Sequence, residues 1–109
     1  MQSYEEYSSL IRKWSKDRKI IPNSNPMAQI EKLEEEIQET KDAIAAGDFD
    51  EFRDGIGDCL VCIENAWSCW FNDKEEEPPE ITEALGHAWN EIKNRRGELR
   101  EDGKFYKDK

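Results

Sequence analysis

Apolar residues recur at a helical period in four segments of this chain, and polar, proline-bearing stretches separate them. Tyr4, Tyr7, Leu10, Ile11 and Trp14 are spaced three and four apart, which predicts a first amphipathic helix over about residues 3–19. The stretch Ile20-Ile21-Pro22-Asn23-Ser24-Asn25-Pro26 reads as a loop, and Asn25 then Pro26 supplies a cap and first position for a second helix. Ile30, Leu33, Ile37 and Ile44 form the apolar stripe of that helix, which Gly47 ends. Asp48 or Asp50 caps a third helix reaching about Phe71, with Phe49, Phe52, Ile56, Leu60, Ile63, Trp67 and Trp70 as a broad apolar surface. Residues 72–79 are a polar break closing in two prolines. A fourth helix then carries Ile81, Leu85, Ala88, Trp89 and Ile92 on one face. Gly97 and Gly103 interrupt a tail that shows no strand pattern. The expected fold is all-α, a four-helix bundle in one domain over residues 1–109, with 93–109 as a C-terminal tail.

Composition adds an expectation about assembly. Charged residues are 39% of the chain and mean hydropathy is −1.02, values that by themselves lean toward disorder. Four Trp, four Phe and three Tyr argue the other way. A 109-residue monomer completes a core with difficulty, so large apolar side chains in helical register imply a second subunit, a homodimer that shares its core. No run approaches the roughly 18 apolar residues of a membrane span, and the opening MQSYEEYSSL lacks the pattern of a signal peptide. A cytoplasmic protein without a membrane partner is expected. The net charge of −10 is uneven: residues 93–109 carry +3 and the remainder −13. An acidic body disfavours polymeric nucleic acid, while a basic tail either receives phosphates that a metal also holds or is a solvated C-terminus. Cys59, Cys62 and Cys69 form no disulfide framework; among Leu60, Val61, Ile63 and Trp67 they read as small buried hydrophobes. His87, the one histidine, reads as a packing or surface residue.

Candidate chemistry lies in two acidic clusters, Glu35-Glu36-Ile37-Gln38-Glu39 and Asp54-Gly55-Ile56-Gly57-Asp58. The helical period sets Glu36 beside Glu39, and Asp54 beside Asp58. Carboxylates so close repel, and one protonates unless a cation neutralises them. Oxygen ligands from two facing helices suit Mg²⁺ or Mn²⁺. A solvated helix face also carries such runs, so Asp58 weighs most: it precedes Cys59-Leu60-Val61-Cys62-Ile63 and is expected to be buried, where a lone carboxylate is costly. Lys32 sits among the carboxylates, able to pair with one or to touch a phosphate. Lys93, Arg95, Arg96 and Lys107 are cations that could receive a leaving phosphate group. Trp14 is a candidate for stacking on a base, and Asn90 for reading a base edge or sugar hydroxyl; core packing and a surface role are the alternatives.

These segments, in this order, resemble the MazG-like branch of the all-α nucleoside triphosphate pyrophosphohydrolases, especially small phage-type members. The resemblance rests on Trp14-Ser15-Lys16-Asp17-Arg18, Asn23-Ser24-Asn25-Pro26, and Gln29 with Lys32-Leu33 leading into Glu35-Glu36-x-x-Glu39. It continues through Asp54-Gly55-Ile56-Gly57-Asp58 to Trp89-Asn90-Glu91-Ile92-Lys93-Asn94-Arg95-Arg96-Gly97 and Gly103-Lys104-Phe105-Tyr106-Lys107. It implies cleavage of nucleotides between the α- and β-phosphates, Mg²⁺ or Mn²⁺ as cofactor, and a dimer or tetramer. It also implies that Glu36, Glu39 and Asp58 are metal ligands, with Glu35 beside them and Gln29 on the substrate side. The chain departs from the pattern at Gly55, where a glutamate is expected three residues before Asp58; Asp54 is the expected substitute. Glu36 or Glu39 is the expected base for the attacking water. The function expected is thus release of pyrophosphate from a nucleoside triphosphate. An acidic helical dimer that binds a host protein, with weak or no catalysis, is the alternative.

Overall fold

The computed structural model describes residues 1–108. Helix α1 spans Tyr4–Asp17 and opens on a reciprocal cap: Ser3 Oγ accepts from the Glu6 amide and Glu6 Oε1 from the Ser3 amide, each at 3.1 Å. Lys19, at φ 63°, turns the chain, and a one-turn helix α2 (Ile20–Asn23) follows with a cis Ile21–Pro22 bond. Ile21, at φ −101° and ψ 118°, is not helical, so this turn interrupts the segment read as a loop without making it regular helix. Asn25 Oδ1 accepts from the Ala28 amide at 2.8 Å and starts α3 (Pro26–Ala46), which Gly47 ends at φ 67°. Asp48 caps α4 (Phe49–Asn72) by accepting from the Glu51 amide at 3.1 Å. After the polar break comes α5 (Thr82–Ile92).

The tail holds an element that the pattern did not predict. Strands β1 (Gly97–Leu99) and β2 (Phe105–Lys107) pair antiparallel, Gly97 opposite Lys107 and Leu99 opposite Phe105. Three residues per strand are too few for a period of two to show. What closes this hairpin is its loop: Gly103 sits at φ 82°, and Asp102 accepts from the Lys104 amide at 2.9 Å and from the Tyr106 hydroxyl at 2.6 Å. The fold is mostly helical with one small two-stranded sheet.

Helices α3 and α4, joined by Gly47 and Asp48 alone, form the main packed pair. Their seam is lined by small and polar side chains. On α3 the buried residues are Glu36, Thr40 and Ala43; on α4 they include Gly55, Cys62 and Cys69. A Cβ at Gly55 would strike the Thr40 hydroxyl and lie 3.1 Å from Thr40 Cβ. Thr40 is held there because its hydroxyl donates to the Glu36 carbonyl at 2.7 Å. Of the expected stripe only Leu33 is half-buried; Ile30, Ile37 and Ile44 are 39%, 41% and 61% exposed and do not form the packed face. Axes this close leave no room for them at the seam.

Two buried polar pairs fix α1 on α4. Ser8 Oγ donates to Glu64 Oε2 at 3.0 Å, and Ser15 Oγ donates to Asn65 Oδ1. Seven residues on α1 (about 10.5 Å) thus correspond to one residue on α4 (about 1.5 Å), so α1 crosses α4 steeply. Beyond the turn, Trp67 Nε1 donates to the Pro79 carbonyl at 2.8 Å, Ile81 is buried, and Arg12 lies 3.8 Å from Glu80. From there α5 and the hairpin stand away from the other helices, with Leu85 and Trp89 exposed. The radius of gyration is 16.2 Å, against about 13 Å for a compact chain of this length. Among the described residues no helix is long and apolar enough to cross a membrane.

Gly55 and Gly57 should respond oppositely to alanine. Gly57 has nothing within 4 Å of its added Cβ, so Gly57→Ala should stabilise by about 0.5–1 kcal/mol through helix propensity. Gly55→Ala should destabilise by about 1–3 kcal/mol through overpacking, and Thr40→Ala in the same chain should recover most of that loss. Urea unfolding of the four chains measures both; stabilisation by Gly55→Ala alone would contradict the close seam.

Candidate metal centre and adjoining cavity

Because α3 turns its Glu36–Thr40–Ala43 face inward, Glu36 is carried to the seam and is 8% exposed. Its Oε1 lies 3.5 Å from Lys32 Nζ, one turn earlier, while its Oε2 is buried with no hydrogen-bond partner among the described residues. A buried acceptor left unpaired costs about 1–3 kcal/mol. Lys32 also lies 4.0 Å from Glu35, and the charges of Glu35 and Glu36 raise its ammonium pKa. Across the seam stands Asp58. Lost hydration first, then the charges of Glu36 and Asp54, hold its carboxyl above the ordinary aspartate value of 3.8, and Lys32 opposes them. Asp58 is exposed in the single chain, which corrects the expectation of burial. The apolar residues following it, Leu60 and Ile63, also face outward.

The structure therefore brings together Glu36, Asp58, Asp54, Lys32 and Glu35. Glu39 is exposed and lines a neighbouring depression with Asp42, Asp48 and Glu51. Position 55 faces Thr40, so a glutamate there would have to enter the helix seam. Asp54 lies at the edge, on the cavity described below. Among the described residues no three His, Cys, Asp or Glu side chains form a ready metal cage. Mg²⁺ does not require one: it is usually held by one or two carboxylates, with water and substrate phosphates completing the shell. The orphaned Glu36 oxygen and the repelled Asp58 carboxyl fit that demand.

The other expected residues lie elsewhere. Gln29 donates to Ser24 Oγ at 2.9 Å. Trp14 is 45% exposed, with the Arg18 guanidinium 5.6 Å above its ring. Lys93 Nζ donates to Asn90 Oδ1 at 3.2 Å on α5, and Arg95, Arg96 and Lys107 follow on the same projecting arm. None of these arm cations contributes to the field at Asp58. His87 is exposed and 3.7 Å from Glu91, and the three cysteines are free, with Cys62 and Cys69 buried.

An open cavity of about 730 Å³ adjoins the carboxylates. Asp54 and Asp58 line one part of it; Tyr4, Tyr7, Ser8 and Glu64 line another. Sequence reasoning missed these last four as site residues. The available signal was Glu64-Asn65, two polar residues inside an otherwise apolar run of α4, opposite serines on the face of α1 between its aromatic residues.

No protein-family profile matches the chain, and no solved structure matches it. One curated relative is an uncharacterised 18.2 kDa protein from the rep-hol intergenic region of Haemophilus phage HP1. It is 34% identical over 63 residues, which is 58% of this chain and 39% of that protein. The chain thus spans well under half the length of that relative.

The raised Asp58 pKa has a definite consequence for metal-free protein. Near neutral pH, folded and unfolded chains both hold Asp58 ionised, and only the folded one carries the repulsion. As pH falls through the raised folded value toward 3.8, the folded form takes its proton first and this penalty disappears. Other acids titrate in the same range, so the wild-type curve is read against Asp58→Asn. The variant should melt about 2 °C higher than wild type at pH 7, a modest gain because the side chain is exposed, and the gap should close by about pH 4. Calorimetry in chelator across that range checks it; a gap that widens on acidification reverses the sign.

Proposed function

We propose that this chain is a metal-dependent nucleotide pyrophosphohydrolase that cleaves nucleoside triphosphates, ribo- or deoxyribo-, between the α- and β-phosphates. The observation that carries this reading is the buried Glu36 oxygen, unpartnered among the described residues, set against an Asp58 carboxyl that none of them joins in an ion pair. A carboxylate pair built at that cost is explained by a divalent cation. Glu36 and Asp58 would hold Mg²⁺ or Mn²⁺, with Asp54, one turn from Asp58, joining by rotation of an exposed side chain and Glu35 contributing to the negative field. The chemistry such a cation supplies when bound is neutralisation of phosphate oxygens and a lower pKa for water. Lys32 balances the carboxylates while the site is empty of phosphate, and is then available to a phosphate oxygen. Glu39, exposed and one turn from Glu36, is free to take the proton of an attacking water.

The reading includes a homodimer, or a tetramer of such dimers, in which the helices complete a four-helix bundle. Its support is the outward row Ile30, Ile37 and Ile44 on α3 and the exposed Leu60, Ile63 and Trp70 on α4. A partner is also the natural source of the arm cations. Lys93, Arg95, Arg96 and Lys107 of one protomer would then steady the leaving pyrophosphate at the carboxylates of the other. Resemblance to MazG-like proteins supports the reaction class, and the phage relative supports work inside a host cell's cytoplasm. A second reading, a protein-binding module with little catalysis, is favoured by one feature: the exposed Leu85, Trp89 and Ile92 of the projecting α5.

Purified protein with Mg²⁺ or Mn²⁺ should release pyrophosphate from at least one common nucleoside triphosphate, and Asp58→Asn should lower kcat/KM by 100-fold or more. A folded wild type that releases none from a panel of NTPs and dNTPs moves the binding-module reading ahead. Sedimentation velocity should give at least twice the 12.8 kDa chain mass, and Ile44→Arg should shift the protein toward monomer. A wild type that sediments as monomer at micromolar concentration would remove the shared-core assembly.

A further inference from the structure

The cavity beside the carboxylates is built unevenly. At its Asp54–Asp58 part it offers charge suited to a metal-bound polyphosphate. Two turns further along α4 it ends at Glu64, which is 4% exposed. Six residues separate Asp58 from Glu64, about 9 Å along the axis. Ser8 Oγ donates to Glu64 Oε2 at 3.0 Å, and no Lys or Arg pairs with this carboxylate among the described residues. The walls here are the rings of Tyr4 and Tyr7 and the aliphatic side chains of Ile11 and Val61. An ionised carboxylate accepts hydrogen bonds only; Ser8 occupies Oε2, and Oε1, on a residue that lines the cavity, has no hydrogen-bond partner among the described residues. Its negative charge repels phosphate, and the aromatic walls suit a flat ring.

We propose that Glu64, held by Ser8 in the cavity that Tyr4 and Tyr7 also line, is the base-reading residue of this site and selects nucleotides whose base bears an exocyclic amine. Cytosine, adenine and guanine each present an amino group that can donate to such a carboxylate. Uracil and thymine present one ring N–H flanked by two carbonyl oxygens, whose lone pairs oppose the Glu64 oxygens. The inference rests on the nucleotide reading above and extends it to specificity. It assigns base recognition to Glu64, Tyr4 and Tyr7 rather than to Trp14 or Asn90, neither of which lines this cavity.

The test measures binding without metal and turnover with it. Full-length protein in chelator is titrated calorimetrically with dCMP, dAMP, dGMP, dUMP and dTMP, and pyrophosphate release from the matching triphosphates is followed with Mg²⁺. The amino-bearing nucleotides should bind about 10- to 100-fold more tightly than dUMP and dTMP, the discrimination one well-made base contact supplies. Glu64→Gln, whose amide both donates and accepts, should bring the two groups to within about threefold. Circular dichroism checks that this variant folds; if it does not, Ser8→Ala, which releases the carboxylate from its one pin, should narrow the same preference several-fold. Binding or turnover without base preference, or a preference that survives a folded Glu64→Gln, overturns the assignment and leaves the pyrophosphohydrolase reading standing. Absence of both binding and turnover for every nucleotide removes that reading, and this inference with it.

Discussion

The close approach of α3 and α4 at Gly55 governs much of the rest. Only a residue without a Cβ fits against Thr40, and the absence of that Cβ brings the two helix surfaces into contact over Glu36, Thr40 and Ala43. Glu36 is thereby drawn from a position that would otherwise be solvated to one that is nearly covered. There its charge acts on Asp58, and one of its oxygens has no partner among the described residues. The same rotation of α3 turns Ile30, Ile37 and Ile44 outward. One missing methyl group thus links the electrostatic strain at the acidic pair to the apolar character of the outer face.

Seen this way, Gly55 is not merely a lost glutamate. The proposed pyrophosphohydrolase reading would put a ligand at this position, but here the position belongs to packing. A side chain of any size would separate the helices that hold Glu36 and Asp58 together. Asp54, on the adjacent edge of α4 and open to the cavity, is the carboxylate that this geometry leaves free.

Element boundaries were largely legible because each is set by local chemistry. Ser3, Asn25, Gly47 and Asp48 cap or stop helices through bonds to their own neighbours. The packed face of α3 was not legible. Periodicity ranks positions by hydrophobicity and selects the isoleucines, whereas the seam is decided by how near two axes can come, which depends on a glycine 15 residues from Thr40 in sequence. For the same reason Asp58 was expected to be buried: apolar neighbours such as Leu60 and Ile63 imply burial only when the chain itself supplies the cover. Of the acidic site, the cluster Glu35-Glu36 and Asp54–Asp58 could be read directly, as could the place of Lys32 among them. The cavity could not, since it arises where α1 crosses α4, and a steep crossing leaves no periodic trace in either helix. The hairpin escaped because its strands are shorter than the pattern that reveals strands.

The interior of the single chain consists to an unusual degree of Ser8, Ser15, Thr40, Cys62, Asn65, Ser68 and Cys69, while many of its large apolar side chains, Trp14, Trp70 and Trp89 among them, face out. This has a thermodynamic consequence. The heat capacity of unfolding comes from newly exposed apolar surface, and polar surface offsets it. A chain that hides so little apolar area within itself contributes a small heat-capacity change of its own, hence a shallow stability curve with little weakening in the cold. Any larger curvature measured for the protein would therefore belong to the surface it covers by association.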